Sequence, residues 1–215
     1  MQLLLCAATE FELGPSVKEL QQQYPGKIEV LITGVGMMAT TYALSRRICM
    51  QKPGIILQAG VAGSFNPGLE PGRIVSVVSE TIGDLGVEEN GVFQPISKLA
   101  LADQDELPWS GGKLVNEHEI VSMAGLPLVH AVTVNEISTS PKRMAYYRET
   151  LKADVESMEG AALHYVALKE EVPFLQLRAV SNFVGERNKA EWLLDEAIIR
   201  LDKTLAELVH KIFAS

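Results

Sequence analysis

The chain is poor in the residues and patterns that mark several large protein classes. It holds two cysteines, Cys6 and Cys49, both in apolar segments and without metal-ligand spacing, so they read as reduced core thiols. No Lys/Arg cluster exceeds two neighbours (Arg46-Arg47, Lys142-Arg143), and the net charge is −8 with a pI near 5.1. That balance excludes a nucleic-acid or anionic-membrane surface. No apolar run approaches the roughly 18 residues of a transmembrane helix. The opening run Met1 to Ala8 lacks a basic region and turns acidic at Glu10 and Glu12, so no signal peptide is expected. His118, His130 and His164 show no mutual metal spacing and are expected to be structural. Internal repeats, low-complexity stretches and Ser/Pro-rich linkers are also missing. These absences leave a soluble, cytoplasmic protein with neither metal nor cofactor.

With 215 residues, 47% of them hydrophobic, the chain can bury one sizeable core, and a single domain over 1–215 is expected. Strand-like and helix-like segments alternate, as in a layered α/β fold. Leu3 to Ala8 reads as a fully buried strand. Lys27 to Thr33 reads as a second strand, with a helical stretch from the glycines after it to about Met50. Gly54 to Ala59 reads as a third, closed by a small-residue loop, Gly60-Val61-Ala62-Gly63-Ser64. Further strands are expected at Arg73 to Ile82, Leu128 to Val134, Val155 to Met158 and Phe174 to Val180. Gly83 to Phe93 reads as a loop. Helices are expected at Pro141 to Leu151, Ala161 to Glu171 and Glu191 to Phe213. In the last of these Leu193, Ala197, Leu201, Leu205, Leu208 and Ile212 recur at three and four.

Polar groups gather where these strands end. Glu10 and Glu12 follow the first strand, in the region where open α/β sheets bind ligands; Thr9 could equally cap a solvated helix there. Gly34-Val35-Gly36 invites a dinucleotide-binding reading, but Ala39 replaces the third glycine and no acid stands near position 54. The glycines fit better as a tight turn that a ligand or backbone can approach. Asn135-Glu136 closes another strand. Glu156 and Glu159 precede an apolar helix, where carboxylates are costly unless hydrogen-bonded. A carboxylate complementing the helix dipole explains Glu159 alone about as well. Arg178 and Ser181-Asn182 lie at the end of the Phe174 strand. Polar groups converging at several strand ends are more informative than any one motif.

In order and spacing, Ala7-Ala8-Thr9-Glu10-Phe11-Glu12, Thr33 to Gly36, Gln58 to Gly63, Val155 to Ala162 and Arg178 to Asn182 resemble the nucleoside phosphorylase/nucleosidase superfamily. Asp84-Leu85-Gly86 with Glu88, and Ser181 to Arg187 followed by Trp192, resemble its futalosine hydrolase branch, of the alternative menaquinone pathway. The resemblance implies a three-layer α/β/α sandwich around a twisted mixed sheet. It also implies cleavage of a purine N-ribosyl bond by water through an oxocarbenium-like sugar. By resemblance Glu12 is the general base, Arg178 orients it or the water (a structural ion pair being the alternative), and Glu159 and Met158 hold the ribose. Glu156, Ser157, Val61, Ala62, Gly63, Asn135, Ser181 and Phe183 would complete the substrate site. Asn182 stands where adenine-specific relatives carry Asp; its amide offers a donor and an acceptor, which suits a 6-oxopurine. Val61 removes a hydroxyl that such relatives place near the water. Cys6 to Val17 holds no cation for phosphate, so hydrolysis fits better than phosphorolysis. Trp192 and Tyr146-Tyr147 are expected in the core or an interface. A homo-oligomer, dimer or higher, is also implied.

Overall fold

A computed structural model describes residues 1–214. β1 (Leu3–Ala7) is buried along its whole length, and a strand with no polar face needs cover on both sides. It pairs in parallel with β2 (Ile28–Ile32) on one edge and with β3 (Ile55–Ser64) on the other. One layer, formed by α1 (Ser16–Gln23), α3 (Ile120–Met123) and α6 (Leu194–Ala214), packs on Leu3, Leu5, Ile55 and Leu57. The opposite layer, α2 (Met37–Met50) and α5 (Gly160–Lys169), packs on Leu4, Cys6 and Ile56. The alternation along β1 therefore builds both cores of the expected three-layer sandwich.

The remaining strands of the sheet are β4 (Ile74–Ile82), β7 (Leu114–Val115), β8 (Leu128–Thr133), β9 (Val155–Ser157) and β10 (Phe174–Phe183), with β5 (Gly86–Glu89) and β6 (Val92–Pro95) forming a separate hairpin. Here the structure adds to the expected sandwich, because the sheet closes on itself. β3 pairs with β10, β10 with β4, β4 with β8, β8 with β9, and β9 returns to β3. Closure is possible because β3 is ten residues long: β1 leaves its edge at Gln58, and β9 takes the vacated edge at Gly63 and Ser64. Ala62, Val75, Val77, Val129, Ala131, Val155 and Val180 fill the ring.

The structure corrects several expectations. Gly60 to Ser64 is not a loop but the second half of β3. Its small residues reflect close approach rather than a turn: a Cβ on Gly60 would lie 2.2 Å from the Arg178 guanidinium, and one on Gly63 would lie 2.9 Å from Val184. The Gly83 to Phe93 stretch contains most of the β5–β6 hairpin. The Pro141 to Leu151 helix is a short α4 (Pro141–Ala145) running into a π-helical turn, Tyr146–Thr150. Cys49 is exposed, because Leu44 and Ile48 take the inward face of α2. Arg47, on the same helix, pairs with Glu29 on β2. Leu193 precedes α6 and is exposed.

Candidate active site

A cavity of about 300 Å³ opens at the carboxyl ends of β1, β3 and β10. Glu12, Val61, Ala62, Gly63, Glu156, Ser157, Met158, Glu159, Ser181 and Asn182 all line it. Three residues expected in the site do not. Arg178 lies behind the wall, 1% exposed. Asn135 faces a neighbouring polar cleft, where its backbone and side-chain N–H groups donate to Asp84 at 2.6 and 3.3 Å. Phe183 is exposed, and only its carbonyl serves the site, accepting from Asn182 Nδ2 at 2.8 Å.

Glu12 sits in a single 3-10 turn, Glu10–Glu12, directly after β1. The backbone N–H and the hydroxyl of Thr9 both donate to its Oε2, at 3.0 and 3.3 Å. The Val61 N–H donates to Oε1 at 3.2 Å. The local Thr9–Glu12 pairing that the sequence allowed is therefore real, and it aims the carboxylate at the cavity instead of at solvent. Glu12 is 8% exposed, and it still lines the opening.

Glu159 resolves its two possible readings. It occupies the N-cap position of α5, yet its side chain makes no capping hydrogen bond. Oε1 accepts from the Gly36 N–H at 3.0 Å, and Oε2 faces Arg178 at 3.5 Å. The tight turn after β2 thus brings a backbone donor to the Glu159 carboxylate. The Arg178 guanidinium also donates to Gln58 Oε1 at 3.0 Å and to the Val61 carbonyl at 3.5 Å. Arg178 therefore links the supports of the two carboxylates: it pairs with Glu159 and holds the carbonyl of the residue whose N–H holds Glu12.

The third wall carries the amide. Asn182 pairs in register with Gly63 on β3, and Gly63 pairs with Glu156 on β9. Gly63 thus lies between two polar side chains across three adjacent strands, with Val184 packed over it. The Ser181 hydroxyl has the Ala62 carbonyl at 3.3 Å and Asn182 Oδ1 at 2.8 Å as acceptors for its one proton. Glu156 Oε1 accepts from the Ser138 N–H at 3.0 Å, and burial raises its carboxyl above the ordinary range.

Sequence reasoning missed Glu80, which lies in β4 and has no solvent exposure. A lone acid within a β-like run gave no positional signal. Burial pushes its carboxyl up to about 7, opposed by hydrogen bonds from Gln176 and Thr133 and by the positive charge of Arg178. In the fold Glu80 keeps a proton that the unfolded chain has already lost between roughly pH 4.5 and 7, so stability falls as pH rises through that window. The expected loss is on the order of 3 kcal/mol. Thermal melts of wild type and Glu80→Gln should therefore diverge in favour of the variant from pH 4.5 to 7 and run parallel above it.

Other residues behave as expected or depart in small ways. His164 is buried, with Nδ1 3.0 Å from the Leu114 carbonyl, and burial lowers its ring to about 4. His130 pairs with Ser79, and His118 Nδ1 accepts from the Ile120 N–H. Burial pushes the Cys6 thiol up to about 12, which leaves it inert. Trp192, expected in the core or an interface, lines the cavity with Arg187 over its ring. Among the described residues no cluster of His, Cys, Asp or Glu could hold a metal ion.

The family model of the phosphorylase superfamily matches residues 20–214. The chain belongs to that superfamily. Among phosphorylase superfamily proteins it is 32% identical over 155 residues to the futalosine hydrolase of Streptomyces coelicolor, a match covering 72% of this chain and 64% of that protein. It is 32% identical over 174 residues to the aminodeoxyfutalosine nucleosidase of Campylobacter jejuni, covering 79% of this chain and 73% of the other. The fold matches the solved futalosine hydrolase of Helicobacter pylori with a TM-score of 0.81, at 17% identity over 98% of both chains. The superfamily match begins after Glu12, so that residue's place in the site rests on its geometry.

Proposed function

We propose that this phosphorylase superfamily member hydrolyses the N-ribosyl bond of futalosine, releasing hypoxanthine. The observation that carries this reading is that one cavity presents Glu12, Glu159 and Asn182 from three walls. Each wall has one task in the chemistry. Glu12, with its remaining lone pairs, takes a proton from water as it attacks C1′. Glu159 accepts hydrogen bonds from the ribose hydroxyls and faces the positive charge that develops on the sugar. Asn182 meets the departing base, its N–H toward O6 and its carbonyl toward N7, which takes its proton from solvent as the base leaves.

An amide cannot deliver a proton, so this site suits a base that leaves readily, as hypoxanthine does. Asn182→Asp should restore a proton donor. Adenine release from 5′-methylthioadenosine is then expected to rise by on the order of 10²-fold, the lower value of a positioned general acid. Chromatography of the released bases checks it; an unchanged adenine yield would remove Asn182 as the base reader. A 5′-methylthioadenosine-type nucleosidase is the second reading, supported by the ability of a rotated amide to accept the 6-amino group. Incubation without phosphate with futalosine, inosine and 5′-methylthioadenosine separates the two, and added phosphate tests phosphorolysis. Arg187 is the one cation among the described lining residues, which favours water over phosphate as the nucleophile.

The reading includes a cytoplasmic homo-oligomer. Among the described residues no helix is long and apolar enough to cross a membrane. Val35 on the cavity rim continues into Met38 and Tyr42 on α2, which are 58%, 87% and 64% exposed. This apolar strip is suited to a second copy.

A further inference from the structure

Glu159 stands at the start of a helix whose first N–H groups need acceptors, and an acidic N-cap residue would ordinarily supply one with its own side chain. It does not do so here. Instead the Thr133 hydroxyl, projecting from β8, accepts from the Ala161 N–H at 2.8 Å. The hydroxyl can offer its lone pairs in that direction because its single proton is directed elsewhere, to Glu80 Oε2 at 2.8 Å. The other oxygen of Glu80 accepts from Gln176 Nε2 at 2.8 Å and is packed against Gly160: a Cβ added there would lie 1.7 Å from Oε1. Glu80 therefore touches or holds, directly or through one hydroxyl, both residues that follow Glu159.

We propose that Glu80 is a positioning residue for Glu159, seating the Glu159-Gly160-Ala161 turn through Thr133 and Gly160 so that the Glu159 carboxylate is released from capping and turns to the ribose. This rests on the reading of Glu159 as the ribose carboxylate. An acid with no solvent exposure inside β4 is an expensive way to fill space, and an aliphatic side chain would be cheaper if filling were its only task. Its two oxygens are what the turn uses. They tie β8, β10 and the start of α5 into one socket. Three charged or titratable groups surround it: Arg178 on β10, Glu159 itself, and His164 on α5, which approaches through Gln176.

The test is a 2′-hydroxyl preference. The uncleavable C-nucleoside 9-deazainosine and its 2′-deoxy analogue are titrated calorimetrically into wild type, Glu80→Gln, Thr133→Val and the double variant, with kcat and KM for futalosine alongside. Wild type should favour the ribo ligand. Each single variant should lose about 10-fold of that preference and of kcat/KM, the scale of a sub-ångström misplacement. The double variant should lose no more than the worse single one, because the Thr133 hydroxyl acts within the socket that Glu80 organises. Retention of the full preference in Glu80→Gln, whatever its melting temperature, would make Glu80 merely structural and overturn the proposal. Glu80→Gln decides this by itself should Thr133→Val fold poorly. Wild type showing no 2′-hydroxyl preference would instead remove the ribose role of Glu159, and with it the functional reading on which this inference stands.

Discussion

Glu12→Gln is expected to lower kcat for futalosine hydrolysis by about 10²- to 10⁴-fold, the range of a positioned general base, with KM changed far less. The substitution keeps the shape and removes the basic lone pairs. It also replaces one oxygen by an NH2 group, and both carboxylate oxygens currently face donors: Thr9 on one side and Val61 on the other. The amide oxygen should settle toward Thr9, which offers two donors, leaving NH2 against the Val61 N–H. A modest fall in stability of about 1 kcal/mol should accompany the loss of rate. Single-turnover hypoxanthine release, with a thermal melt and ligand affinity measured on the same sample, separates the two effects. If wild type binds nucleoside but releases no base, and Glu12→Gln changes nothing, the protein is a binder that kept the pocket.

How much of this site was legible in the sequence depends on whether a residue's neighbours are local. The Thr9–Glu12 contact spans three residues, and its pattern is visible in the chain. The small residues from Gly60 to Gly63 were visible in the sequence, yet the reason for them was hidden, because Arg178 reaches Gly60 from a strand more than a hundred residues later. The same run misled the secondary structure. Glycine-rich segments read as loops by propensity, but pairing with β10 on one edge and β9 on the other holds these residues in a strand. Ring closure was equally invisible, since it depends on β9, three residues long, finding the edge that β1 vacates. Asn135 was misplaced because a polar residue at a strand end can turn to either of two adjacent clefts, and Asp84 decides which.

Removing the carboxylate proposed to hold the ribose should leave a different signature from removing the proposed base. Glu159→Ala is expected to cut kcat/KM for futalosine by about 10²- to 10³-fold, comparable with loss of a preorganised electrostatic stabiliser. Unlike Glu12→Gln, it should also erase the preference for a 2′-hydroxyl. Stability should suffer more as well. Arg178 is almost wholly buried, with Glu159 at 3.5 Å as its one carboxylate partner within ion-pair distance among the described residues, while Gln58 and the Val61 carbonyl give it only neutral acceptors. Stripping the partner from a buried pair costs about 3–5 kcal/mol. Glu159→Gln keeps an acceptor for the Gly36 N–H and should recover part of that stability without recovering the rate. Denaturant titrations paired with steady-state kinetics check both halves. If Glu159→Ala instead kept its rate and lost only stability, the carboxylate would be serving Arg178 rather than the sugar, and the positive charge forming at C1′ would need another counterpart in the cavity.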